Sequence, residues 1–262
     1  MNNQLYPAFF RLDRLQLLVV GAGEVGEEKL SFILKSSPNA RVVLVAPWMG
    51  EELKALLDQY DEQARTQEQG PVDEAGFGGN QLRAARFAGE ATAGEWQTPA
   101  GGTVIWYERK FRESDVRVAD LVVAATNFKE INFTVWTAAK AARRLTNIAD
   151  TPSLCDFYLG SIVTRGPLKI AISTNGQSPT FAKRFRQFLE AELPDFETTN
   201  LLDNLKLFRD RLTGDFQAKV RQLNAVTNSL LSSATDEKAA CRCPDGECLV
   251  ETAGKGTPVP DK

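Results

Sequence analysis

Two features of the 262-residue chain bound the chemistry open to it. The first is Gly21-Ala22-Gly23-Glu24-Val25-Gly26, set directly after the apolar run from Leu15 to Val20. A strand that turns on spaced glycines into a helix makes a cradle for a pyrophosphate. Gly21 permits the tight turn, Gly23 lets main-chain amides approach the anion, and Gly26 lets the helix pack closely on the strand. Glu24 and Val25 open the helix, whose unpaired N–H groups and positive dipole end favour a phosphate. The bland alternative is a structural turn that holds nothing. The second feature is an absence, since the chain has no histidine. That removes Ser-His-Asp and Cys-His catalysis, histidine-ligated zinc and the usual base near neutral pH. Proton transfer falls to Asp, Glu, Lys, Tyr, Cys or water.

The elements that must position such a site follow from hydrophobic patterning. Behind the glycine turn, Leu30, Ile33 and Leu34 lie on one face of a helix, and Arg41 to Ala46 is a second strand. Together they complete one βαβ unit. Glu51 to Tyr60 reads as a helix. Thr103 to Tyr107, Leu121 to Ala125 and Thr146 to Ala149 read as further strands, with a helix over Ile131 to Leu145. Strands alternating with helices imply a Rossmann-type, doubly wound parallel sheet of the α/β class. Between them, residues about 61–102 lose this pattern and read as a long mobile insertion, with short pieces around Gln81 to Phe87.

Beyond Asp150 the organisation changes. Ser161 to Thr164 and Leu168 to Ser173 are strand-like runs that form a hairpin or a crossover. Ser178 and Pro179 stand as N-cap and first residue of a helix. Phe181, Phe185, Phe188 and Leu189 make one side of that helix apolar, and Lys183, Arg184 and Arg186 make another basic. From Leu201 to Leu230 apolar residues recur at steps of three and four, as in an amphipathic helix or helical hairpin that needs a partner surface. The domains expected are 1–150, dinucleotide-binding with the insertion; 151–195, a small α+β region for substrate and dimerisation; 196–234, helical; and 235–262, a disordered tail.

Composition excludes other classes. With 31 basic and 34 acidic residues the net charge is −3, against the basic excess of a nucleic-acid protein. No apolar run approaches the roughly 18 residues that span a bilayer. Met1 to Phe10 lacks the basic-then-apolar order of a secretory leader, so the cytoplasm is the expected compartment. Cys155, Cys241, Cys243 and Cys248 form no disulfide framework, because three of them crowd into the tail. Those three thiols invite a metal-delivery reading, yet three ligands close no site and their spacing matches no standard motif.

The acid expected at the end of the second strand, to hold the ribose hydroxyls, is missing: the chain reads Val45-Ala46-Pro47-Trp48. Ribose or adenine must meet backbone groups near Pro47 and Trp48. No arginine in that turn favours a 2′-phosphate, so NAD is expected over NADP.

The sequence resembles the precorrin-2 dehydrogenase / sirohydrochlorin ferrochelatase family, the module at the N-terminus of siroheme synthase. The matching pieces are Tyr6-Pro7-Ala8-Phe9-Phe10 with Leu12, the glycine turn through Lys29, Leu121 to Asn127 with Asn132, and Asn147-Ile148-Ala149-Asp150. Arg165-Gly166-Pro167-Leu168 and Ile170 to Pro179 complete the set, over most of residues 5–195. The resemblance implies a homodimer that passes a hydride from precorrin-2 to NAD⁺, giving sirohydrochlorin. In bifunctional members the same cavity inserts Fe²⁺, as a substrate, to give siroheme.

It also implies that Asp150, at a strand end, is the central catalytic residue, taking up the protons released and steadying iron in transit. The competing reading is that Asp150 only caps the Thr151-Pro152 turn. Thr126 and Asn127, at another strand end, would touch the cofactor. Arg165, Lys183, Arg184 and Arg186 would hold the carboxylates of the tetrapyrrole, and Ser178 would donate to one. A solvated helix face and simple capping are the alternatives. Two further functions stay open: a dehydrogenase served by a separate chelatase, and a non-catalytic NAD-sensing module that binds a partner through its helices.

Overall fold

The computed structural model describes residues 5–66 and 86–227. Its centre is a six-stranded sheet in the order β3-β4-β2-β1-β5-β6. β1 (Gln16–Val20), β2 (Arg41–Ala46), β4 (Thr103–Glu108), β5 (Leu121–Ala124) and β6 (Leu145–Ile148) run parallel. The central strands β1, β2 and β5 are largely apolar on both faces, as strands covered on both sides require. Leu30, Ile33 and Leu34 of α1 (Glu24–Ser36) and Leu53 and Leu57 of α2 (Glu51–Thr66) bury one face. Val135, Ala138 and Ala139 of α3 (Lys129–Ala141) bury the other, with Val116 of a 3-10 turn over Glu113–Val118. This is the doubly wound α/β sheet expected from the alternating pattern.

The stretch read as an insertion is partly built into the sheet. α2 continues through Thr66, and Gly94–Gln97 forms β3, antiparallel to β4. The reason is tertiary. Asp58 accepts from the Trp96 indole at 2.7 Å, and Asp61, in the part of α2 beyond Tyr60, accepts from the Gln97 amide at 3.0 Å, so α2 holds the edge strand. Gln81 to Ala85 lies outside the described residues.

β7 (Ser161–Arg165) and β8 (Leu168–Ile172) settle the hairpin-or-crossover question as an antiparallel hairpin. α4 (Pro179–Glu192) packs on it through buried Ala182. The chain divides into two compact units between Thr199 and Asn200. The long periodic run is broken into α5 (Asp195–Arg211) and α6 (Phe216–Thr227), with Gly214 at φ +101° between them. No helix among the described residues is long and apolar enough to cross a membrane. Cys241, Cys243 and Cys248 lie outside the described residues.

Candidate functional site

The sheet order reverses between β1 and β5, and ligands of open α/β sheets bind beyond the carboxyl ends of the strands at that point. Gly21 leaves β1 at φ +106°, and a Cβ there would sit 2.5 Å from the Ala125 carbonyl oxygen. At Gly26 a Cβ would meet the Gly21 oxygen at 2.2 Å, so α1 can rest on the turn only because both residues are glycine. Gly23 is the N-cap of α1 and supplies no side-chain cap, which leaves the first-turn amides at Glu24 and Val25 unpaired within the helix. The exposed indole of Trp48 reaches over this turn, 3.1 Å from where a Gly23 Cβ would stand. The Gly50 amide donates to the Ala22 carbonyl at 2.9 Å and ties the segment after Pro47 and Trp48 to the turn. An uncapped helix end, a side-chain-free approach and an exposed aromatic plate together fit a dinucleotide phosphate and its adenosine.

At the end of β5, Thr126 is held from every side. Its amide and hydroxyl lie 3.2 and 2.7 Å from Asn132 Oδ1, and Asn132 Nδ2 donates to its carbonyl at 2.9 Å. Thr126 is therefore engaged within the protein, whereas the Asn127 side chain is exposed and has no partner among the described residues. Asn132, buried in the first turn of α3, shapes this mouth and is a residue that site reasoning from sequence passed over. Its signal was a polar residue on the otherwise apolar inner face of α3.

Asp150 follows β6. The Ala149 amide donates to the Ala124 carbonyl at 2.9 Å, and the Thr151 amide donates to the Ile148 carbonyl at 3.3 Å. Asp150 is thus the third residue of a tight turn, at φ +56°, a backbone state that suits glycine or asparagine better. Its side chain is exposed and makes no hydrogen bond or ion pair among the described residues. Thr151, not Asp150, occupies the N-cap of the 3-10 turn Pro152–Leu154, and no side chain caps that turn. β1, β5 and β6 are consecutive, so Asp150 and the glycine turn start about 10 Å apart across the same rim.

The turn is braced from beneath. Cys155 Sγ accepts from the Ile148 amide at 3.2 Å and lies 3.4 and 3.5 Å from the carbonyls of Ile148 and Thr151. Burial pushes this thiol up from its ordinary range. Asp156 accepts from the Thr146 amide at 2.8 Å and hydroxyl at 2.9 Å and pairs with Lys140. Burial opposes its charge, but Lys140 and Thr146 outweigh burial and hold its carboxyl below the usual range.

The residues proposed for substrate carboxylates divide. Ser178 is the N-cap of α4, its Oγ accepting from the Phe181 amide at 3.1 Å. Arg165 donates to the main-chain carbonyls of Thr164, Glu190 and Leu193, so it fastens the C-terminal end of α4 instead of standing free. Arg186 pairs with Glu190 one turn on. Lys183 and Arg184 are exposed, with no partner among the described residues. Beside them Phe181, Phe185 and Phe188 are 58%, 39% and 55% exposed and stack on each other at 5.8 and 6.2 Å.

Residues 8–161 match a family model described as "Putative NAD(P)-binding", and residues 165–192 match the central region of a sirohaem biosynthesis protein. The chain belongs to the "Putative NAD(P)-binding" family that the first of these models describes. A siroheme synthase of Pseudoalteromonas atlantica is 29% identical over 97% of this chain and 49% of its own length. Siroheme synthase 3 of Aeromonas hydrophila is 32% identical over 72% of this chain and 31% of its own. The chain thus spans about half the length, or less, of these curated relatives. Among solved structures, SirC, precorrin-2 dehydrogenase, superposes with a TM-score of 0.56 at 21% identity, over 87% of this chain and 90% of that one, and shares its fold.

Proposed function

We propose that the chain oxidises precorrin-2 to sirohydrochlorin with NAD⁺, in the siroheme route. The observation that carries this is Asp150: an exposed, unpaired carboxylate on a left-handed turn, two strands from a glycine turn shaped for a dinucleotide. Bound NAD⁺ supplies the hydride acceptor. The amides from Gly23 to Val25 would hold its pyrophosphate, Pro47 and Trp48 would meet its adenosine, and Asn127, at the end of β5, would contact it as well. Asp150 takes the proton that the macrocycle must lose when the hydride leaves, a role that demands a carboxylate free of internal partners. Lys183 and Arg184 pair with the peripheral carboxylates of the tetrapyrrole, and Ser178 still has its hydroxyl proton to donate.

A second copy of the chain is the partner we assign to the aromatic ladder on α4. A stripe of three exposed, mutually stacked phenylalanines is the kind of surface that a folded chain covers by association. Insertion of iron as a substrate would use the same exposed carboxylate, which can take the two pyrrole N–H protons that metal entry displaces one after the other, passing the first to solvent before it accepts the second.

Anaerobic incubation with precorrin-2 and NAD⁺, read at the reduced-nicotinamide absorbance, tests the dehydrogenase. Sirohydrochlorin and Fe²⁺ without NAD⁺ then test chelation separately. The expected result is NAD⁺-dependent sirohydrochlorin formation. Dinucleotide binding with no turnover would instead favour the sensing module.

A further inference from the structure

Ala46 is the last residue of β2, where a dinucleotide fold ordinarily carries the acid for the adenosine ribose. The sheet supplies an acid one strand away. β4 lies beside β2 in parallel register, and its last residue, Glu108, stands opposite Ala46. Residues in register on neighbouring strands point to the same face. Ala46 belongs to the core on the α1 and α2 side. Trp106, two residues before Glu108, packs on that same core and donates its indole N–H to the Ala46 carbonyl at 3.1 Å. Glu108 therefore leaves β4 on the face that carries α1, about 5 Å from the place of the missing acid. The Arg109 amide donates to the Ala46 carbonyl at 3.2 Å and fixes that spacing.

The Glu108 carboxylate is exposed and has no hydrogen bond or ion pair among the described residues. Its basic neighbour does not neutralise it. The Arg109 guanidinium pairs with Glu90 at 2.6 Å and Asp115 at 2.8 Å, and it lies over the rings of Phe87 and Tyr107. Tyr107 belongs to the core on the α3 side, so Arg109 is turned to the opposite face. Trp48, from the other side of Ala46, reaches over Gly23. Glycine turn, indole and Glu108 thus occupy one continuous stretch of rim.

We propose that Glu108 is the specificity-determining residue for the dinucleotide. Its carboxylate accepts hydrogen bonds from the adenosine ribose hydroxyls and repels a 2′-phosphate, so β4 takes over from β2 the choice of NAD over NADP. The assignment rests on dinucleotide binding at the Gly21–Gly26 turn but not on the tetrapyrrole reaction.

Dissociation constants of NADH and NADPH for the full chain test it, by tryptophan quenching and calorimetry, with no tetrapyrrole present. Wild type binds NADH at least about tenfold more tightly than NADPH. Glu108→Gln, an exposed and nearly isosteric change, weakens NADH about fivefold to tenfold, the scale of one charge-assisted bond, and the preference collapses. Glu108→Arg reverses it. A wild type that binds both equally overturns the assignment, as does an unchanged NADH-to-NADPH ratio in both folded variants. A wild type that binds neither overturns the dinucleotide site as well. If the ratio shifts as expected while precorrin-2 is not oxidised, the reaction fails and the role of Glu108 stands.

Discussion

The rim of the parallel sheet and the outer face of α4 both carry residues assigned to ligands, and they are built on opposite plans. At the rim the backbone does the shaping. At Gly21 and Gly26 a Cβ would stand 2.5 and 2.2 Å from main-chain oxygens, so no side chain fits, and Asp150 sits on a turn braced by Cys155, Thr151 and Asp156. The groups that would act there are left without internal partners. On α4 and the hairpin beneath it the side chains do the shaping, and two of the four cations are consumed by it: Arg165 of β7 by the C-terminal end of α4 and Arg186 by Glu190. An ionic side chain near a site is a ligand candidate only when the fold has no use for it.

The sharpest way to break this contrast is Asp150→Asn. Turnover of precorrin-2 should fall on the order of a thousandfold, the scale of a lost general base. Dinucleotide affinity, measured by tryptophan quenching, should stay within about twofold, because the side chain has no internal partner to lose. Next in size is Gly26→Ala. Its Cβ would meet main chain at 2.2 Å, so α1 must lift from the turn. Dinucleotide affinity should drop by more than about tenfold, and denaturant titration should show a loss of about 2 kcal/mol.

The α4 face should respond differently according to pairing. Lys183→Ala with Arg184→Ala should raise the KM for precorrin-2 about tenfold with an unchanged melting temperature, as expected for free cations. Arg165→Ala should do the reverse. It leaves the carbonyls at the end of α4 without donors, so stability falls by about 1–2 kcal/mol while KM changes little. A rise in KM with Arg165→Ala at unchanged stability would erase the distinction.

The smallest effect concerns the brace. Asp156 has a folded-state pKa below its unfolded value, so its contribution is present above the unfolded pKa and is lost as pH falls through the folded one. Asp156→Asn should therefore lower stability at neutral pH by about 1 kcal/mol or less, because the group is partly exposed and solvent screens it. Wild type and variant should converge in acid unfolding curves. Curves that stay parallel down to the acid transition would show that Asp156 is not charged for this purpose.

What sequence could reveal follows the same division. The glycine turn, the buried strands and the N-cap at Ser178 depend on neighbours within a few residues, and they stand where local patterns put them. Asp150 was readable as a carboxylate at the end of a short strand. Arg165 was not readable as a helix fastener, because its acceptors are main-chain carbonyls 25 and 28 residues further on. β3 was missed because only Trp96 of its four residues is buried, and its order comes from Asp58, Asp61 and β4. The position of Glu108 beside Ala46 depends on the sheet order, which no local pattern encodes.

The account turns on Asp150 removing a proton from a macrocycle that lies against the bound dinucleotide. Single-turnover oxidation of precorrin-2 by enzyme saturated with NAD⁺, with binding and chemistry followed in separate phases, tests this most directly. Asp150→Asn should keep the binding phase and lose the phase in which reduced nicotinamide forms, and Asp150→Glu should recover part of it. A reduction phase of wild-type rate and amplitude in Asp150→Asn would contradict the account.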